Sequence, residues 1–198
     1  MSRITLVGNA PLLQDRSSLI DSSDFVVRFN LPQSYGGNGG IRFDAWVLAN
    51  GKGASKFARE RTFIDAPYRD IPKRIWIPRE MEVHRALRRG AANELLKPGN
   101  EVDYSEEILR ENRLRQPCDR IGADVYWRSI SALQRLFPGL DKMPSSGFVV
   151  LTYVLQRFPD SQITLIGFSF EGWSGHPWEL EKRFVHTAVK RGVLDLVS

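Results

Sequence analysis

The sequence predicts an α/β protein: a single domain spanning residues 1–198, with helices on both faces of a mostly parallel sheet. Three observations carry that expectation. The run Ile4-Thr5-Leu6-Val7 is short, apolar, rich in β-branched side chains and closed by Gly8, as suits a strand buried in a parallel sheet. A second such run, Phe25-Val26-Val27-Arg28-Phe29, follows at the distance a βαβ-like crossover needs. Towards the end of the chain an apolar helical stripe over 148–158 passes through the turn Pro159-Asp160-Ser161 into a strand, Gln162-Ile163-Thr164-Leu165-Ile166, which again stops at a glycine, Gly167.

The remaining elements follow in order. Between the first two strands, 14–18 is polar and reads as a loop with a short helix. The segment 31–41 holds Gly36-Gly37-Asn38-Gly39-Gly40, which suits either a mobile lid or a plain connector. A buried strand is expected over 42–50, a short exposed piece over 56–61, and a strand at Arg74-Ile75-Trp76-Ile77 that ends at Pro78. Helical spacing over 81–96 and 105–115 comes with strongly charged exposed faces, and His84 reads there as a surface histidine. The polar stretch 119–126 determines little, and 127–137 reads as a helix stopped by Pro138-Gly139. A helix from Pro177 to Lys190 and a closing strand over 193–196 complete the chain.

Composition narrows the function. With 42% hydrophobic and 26% charged residues the chain is of the ordinary globular kind, and no run approaches the roughly 18 apolar residues of a membrane-spanning helix. No signal segment is expected, and the single Cys118 cannot form an internal disulfide, so a reducing, cytoplasmic setting is expected. The net charge of +5 is moderate. Arginines between 59 and 135, including Arg85, Arg88 and Arg89, form either solvated helix faces or a surface for an anionic membrane or acidic acceptor. No nucleic-acid-binding motif appears, and nucleic acid is not an expected partner.

In open parallel sheets ligands bind at the carboxyl ends of the strands. Asn9 and Asn30 each stand just past such an end, and Gly8 permits a sharp turn or a close approach of backbone to ligand. Gly8-Asn9 reads equally as a strand-ending turn. Pro144-Ser145-Ser146-Gly147 opens the helix that follows, so Ser145, Ser146 and Gly147 form either an ordinary cap or a phosphate site at a helix N-terminus. His176 precedes Pro177 at the start of the last helix. Glu181 falls on that helix's apolar arc with Phe184, Val185, Ala188 and Val189, whereas His186 falls on the polar side.

These segments resemble the motifs of the sialyltransferases, glycosyltransferase family 29. Val7-Gly8-Asn9, Ile20-Asp21 with Asp24, and Val27-Arg28-Phe29-Asn30 look like the large sialyl motif, and Gly40-Ile41-Arg42-Phe43-Asp44 is similar to the run that ends it. Residues 144–147 and the strand ending at Gly167-Phe168 look like the small motif, with Ser146 in place of the usual threonine. His176 and Glu181 have the spacing of the last motif, a histidine, four residues and a glutamate. Animal members join their large and small motifs by a disulfide, whereas the first motif here offers Ile4 and no cysteine, which fits a bacterial version.

The resemblance implies the sialyltransferase variant of the nucleotide-binding (GT-A-like) fold. It also implies an inverting transfer of sialic acid or a related 2-keto sugar acid from a CMP-activated donor to a glycan or glycolipid hydroxyl, without metal or other cofactor. Gly8, Asn9, Asn30, Ser145, Ser146 and Gly147 would hold CMP, His176 would be the general base, and Glu181 would support it. His186 is the rival for the last motif, but Arg191 stands where its glutamate should be, and ten helical residues would put the two histidines about 15 Å apart. One of the family's two histidines is then missing. The alternative is a nucleotide-binding or accessory protein of the same fold without transferase activity.

Overall fold

The computed structural model of the protein describes residues 1–88 and 102–197. Strands β1 (Arg3–Val7), β2 (Phe25–Phe29), β3 (Ala45–Val47), β4 (Arg74–Ile77), β5 (Cys118–Arg120), β6 (Gln162–Ile166) and β7 (Asp195–Val197) form one sheet among the described residues. Helices α1 (Ser17–Asp21), α2 (Ser55–Arg59), α3 (Met81–Arg88), α4 (Ser105–Glu111), α5 (Ala123–Gln134), α6 (Ser146–Arg157) and α7 (Trp178–Lys190) flank it, with a 3₁₀ turn at Lys52–Ala54. The strand order is β5-β4-β3-β2-β1-β6-β7 and every pairing is parallel. The expected α/β class is therefore observed.

The alternation of side chains along each strand divides the core in two. Ile4, Leu6, Val27, Phe29, Ala45, Val47, Trp76, Ile163 and Leu165 face α5, α6 and α7. On the opposite face Trp46, Ile75 and Ile77 pack with Phe57, Phe63 and Ile108, while Val7, Val26 and Ile166 pack with Leu12 and Ile20. Both faces being covered explains why the central strands read as continuous apolar runs. Thr5 stays in the core by pairing its hydroxyl with that of Ser23 at 2.7 Å.

Arg28, fully buried in β2, sends Nε to the carbonyl of Arg42 and Nη2 to those of Gly39 and Gly40. Asp21 meanwhile accepts the N–H groups of Ile41 and Arg42. The glycine segment is thus a bonded connector and not a lid. Burial lowers the Arg28 pKa to about 10, so it keeps its charge at neutral pH. Asp44 accepts from the N–H of Val26 and pairs with Arg42 and Lys73, which makes it a staple between β2 and β3.

Several sequence expectations are revised. The piece at 56–61 is short and exposed at Lys56, Arg59, Glu60 and Arg61, as expected, but α2 buries Phe57 and Ala58 within it. His84 is fully buried beside Asn50, not on the surface. The stretch 119–126, left open from sequence, supplies β5 and the start of α5. Helix α3 is described to Arg88, and the rest of the helix expected over 81–96 lies outside the described residues. Among the described residues no helix is long and apolar enough to cross a membrane.

Candidate functional site

The chain runs from β1 outward through β2, β3, β4 and β5, then returns to place β6 on the other side of β1. That reversal opens a crevice past the carboxyl ends of β1 and β6, the place where open α/β sheets bind ligands. The N–H of Gly8 donates to the carbonyl of Ile166 at 2.8 Å, and that of Ala10 to the carbonyl of Gly167 at 3.0 Å. The two strand ends are so close that a Cβ on Gly8 would overlap the carbonyl of Gly167. Gly167 itself has φ +69°, a conformation glycine adopts without strain.

The two asparagines are held by the ends of neighbouring strands. Asn9 donates Nδ2 to the carbonyl of Phe29 at 3.0 Å. Asn30 sits at φ 47°, where asparagine is among the tolerated non-glycine residues. Its Oδ1 accepts from the N–H of Ala49 at 2.9 Å, and its carbonyl accepts from the indole N–H of the buried Trp46 at 2.8 Å. Among the described residues Asn9 Oδ1 and Asn30 Nδ2 carry no partner, so one acceptor and one donor remain for a ligand.

Helix α6 points its N-terminus into the same cleft. Ser145 is its cap: the hydroxyl accepts from the N–H of Phe148 at 3.1 Å, which fixes the first turn. The N–H groups of Ser146 and Gly147 find no acceptor among the described residues, as the first turn of a helix dictates. Ser145 itself is committed elsewhere. Its N–H and hydroxyl both donate to the Glu181 carboxyl, each at 2.7 Å. Glu181 is 2% exposed on the inner face of α7, and burial drives its pKa up to about 7 although the Ser145 bonds pull the other way. Of the three residues expected to meet a phosphate, Ser146 and Gly147 are available and Ser145 serves the glutamate.

Helix α7 begins at Trp178 with Pro177 as its cap residue, one position later than the sequence suggests, and His176 precedes the cap. His176 Nδ1 lies 2.9 Å from the carbonyl of Met143. A carbonyl can only accept, so Nδ1 carries the proton and Nε2 presents a lone pair. The ring packs near-perpendicular to Trp173 and Trp178, with centroids 4.9 and 5.1 Å away. Burial lowers its pKa, the Met143 bond opposes the fall and the Arg79 charge adds to it, so the imidazole is neutral at pH 7. His186 is exposed on the outer face of α7. Gly8, Asn9, Asn30, Ser145, Ser146, Gly147, His176 and Glu181 all line one cleft of about 510 Å³. The sequence reading missed Phe168, which packs edge-on against Phe29 and closely over Gly147, and the Met143 carbonyl, which no side-chain pattern announces.

No family model matches the chain. The urease operon 23 kDa accessory protein of Rhizobium meliloti (strain 1021) is 28% identical over 203 residues, covering 96% of this chain and 90% of that protein. Among solved structures, a mammalian sialyltransferase in complex with Gal-beta-1-3GalNAc-ortho-nitrophenol matches 99% of this chain and 69% of its own, at 14% identity and a TM-score of 0.61. The sialyltransferase CstII from Campylobacter jejuni, in complex with cytidine-5'-monophosphate, matches 99% and 78% at 14% identity and a TM-score of 0.57.

The likeness to these enzymes is one of fold. It shows a Rossmann-like α/β architecture, and a shared architecture sets where a cleft lies without setting its chemistry. The expected membership of glycosyltransferase family 29, and with it the expected glycosyltransferase activity, is therefore corrected. The relative that shares sequence along nearly the whole chain is named as an accessory protein, and the sialyltransferases share too little sequence to carry an activity across.

Proposed function

We propose that the protein binds a nucleoside monophosphate, with CMP the candidate, in the cleft past β1 and β6, and works as an accessory protein that transfers no sugar. The observation that carries this reading is the convergence of two free N–H groups at the α6 N-terminus with the free amide groups of Asn9 and Asn30 in one cleft. Helix-terminal N–H groups and the helix dipole favour a phosphate, and Ser146 adds a hydroxyl. Asn9 Oδ1 and Asn30 Nδ2 would read the polar edge of a ribose or base, with Phe168 as an apolar wall. A neighbour of the same fold is described in complex with CMP, which supports the ligand class. The name of the R. meliloti relative supports the accessory role.

The test pairs binding with turnover. CMP at 100 times its dissociation constant should add about 2.7 kcal/mol of stability, or about 5–11 °C in Tm for a chain of this size. UMP and GMP serve as comparisons. Incubation with a CMP-activated sugar acid should release CMP at the rate seen without protein. No stabilisation by any of the three nucleotides rejects the nucleotide reading, and protein-dependent CMP release rejects the non-transferase reading.

A further inference from the structure

Behind His176 lies a second chamber, of about 410 Å³, that the nucleotide reading does not use. Its apolar walls are Pro78, Met143, Pro144, Val149 and Trp173, and it meets the first cleft at Ala49, Ser146 and His176. Its polar lining is one-sided. Arg79, two residues past the end of β4, and Lys52 bring positive charge, and no aspartate or glutamate lines it among the described residues. Tyr126, on the first turn of α5, is 1% exposed, and its hydroxyl has no hydrogen-bond partner among the described residues. Arg79 Nη1 is likewise buried and unpartnered there. Glu80, next in sequence, accepts from the N–H of Ala123 at the start of α5 and forms no ion pair with Arg79 among the described residues. Gly51 leaves room for the guanidinium, which a Cβ at that position would strike.

We propose that this chamber is an anion subsite in which Arg79, Tyr126 and Lys52 take a carboxylate or phosphate group. Buried donors without acceptors are rare in native proteins, and a guanidinium offers parallel N–H groups that match the two oxygens of such an anion. Burial holds the Tyr126 hydroxyl protonated against the opposing pull of the Arg79 charge, so at neutral pH it donates. The apolar walls select a small organic acid or a phosphate ester over a hydrated ion pair. The chamber's opening onto Ser146 and His176 lets such a group be either a separate anion or a second acidic substituent carried by whatever occupies the first cleft.

The experiment titrates inorganic phosphate, and separately acetate, into the free protein and into the CMP-saturated protein, with thermal unfolding as the readout. Wild type should show saturable stabilisation by at least one anion in both states. Arg79→Met should weaken that anion about tenfold or more, the scale of lost hydrogen bonds to a charged group. Tyr126→Phe should weaken it less, and Lys52→Ala, on an exposed side chain, should weaken it without touching the fold. Gly51→Ala, which displaces the guanidinium without removing it, should act like Arg79→Met. CDP binding more tightly than CMP in wild type but not in Arg79→Met would assign the group to a nucleotide substituent, and equal binding would assign it to a separate anion. Stabilisation that CMP abolishes, or that Arg79→Met and Lys52→Ala leave unchanged, overturns the subsite. Failure of CMP to bind rejects the nucleotide reading alone, because the titration of the free protein still decides this one.

Discussion

Glu181→Gln isolates the cost of holding a carboxyl in the core. In the folded protein this group has a pKa of about 7, against an ordinary value of 4.5, because burial disfavours the anion. Between those two values the folded protein keeps a proton that the unfolded chain has released. The stabilisation is therefore complete below about 4.5 and is lost as pH rises through about 7. A gap of about two and a half pH units, at about 1.4 kcal/mol each, comes to about 3.5 kcal/mol in full, of which about 3 kcal/mol falls between pH 4 and pH 8. Glutamine keeps the shape and can still accept from the Ser145 N–H, but it has no proton to lose. The stability of wild type minus that of the variant should fall by about 3 kcal/mol from pH 4 to pH 8, or about 6–12 °C in Tm. Urea unfolding followed by circular dichroism at steps of pH measures this, and titrations common to both proteins cancel in the difference. A flat difference would show that the carboxyl titrates normally. A difference that grows with pH would show an ionised carboxylate stabilised by Ser145 and refute the reasoning outright.

Gly8→Ala would push a methyl group into the Gly167 backbone and should cost about 1–3 kcal/mol by urea unfolding; a neutral outcome would mean the β1 and β6 ends can separate. Asn30→Ala should be less stable than Asn30→Gly by about 1 kcal/mol, since glycine tolerates the left-handed φ and alanine does not. Equal stabilities would place the whole contribution of Asn30 in its side chain. For His176 the pKa is lowered, so its contribution is present above the ordinary 6.5 and lost as pH falls below it. The stability of wild type minus that of His176→Gln should decline from pH 7.5 to pH 5, and a rise over that range would mean the folded imidazole is the better base.

The central sheet was legible because its strands are buried on both faces, and an unbroken apolar run such as Ile4-Thr5-Leu6-Val7 has few other uses. The edge was not. All three residues of β5, Cys118-Asp119-Arg120, are exposed, so no apolar pattern marks them. His84 was misplaced because its partner Asn50 lies 34 residues away in sequence, and only the fold brings the two together. The candidate cleft was legible from its strand-end positions and helix cap, and the eight residues singled out in the sequence share it. What they do there was not legible. The commitment of Ser145 to Glu181 is a contact across 36 residues, and the sequence offers no sign of it. Arg79 could have been found by applying the strand-end rule to β4 as well as to β1 and β2.

His176 stands in the wall of both chambers, tethered by Nδ1 to Met143 and flanked by two indoles. A partition of this kind makes any pair of occupants thermodynamically reciprocal. A molecule that moves the ring alters the space on the far side, and the factor by which it changes its neighbour's dissociation constant equals the factor by which the neighbour changes its own. Two anions also repel each other across the partition and share Ser146 and Ala49, so coupling that survives His176→Gln is carried by charge and by those shared walls, and only the remainder is carried by the ring.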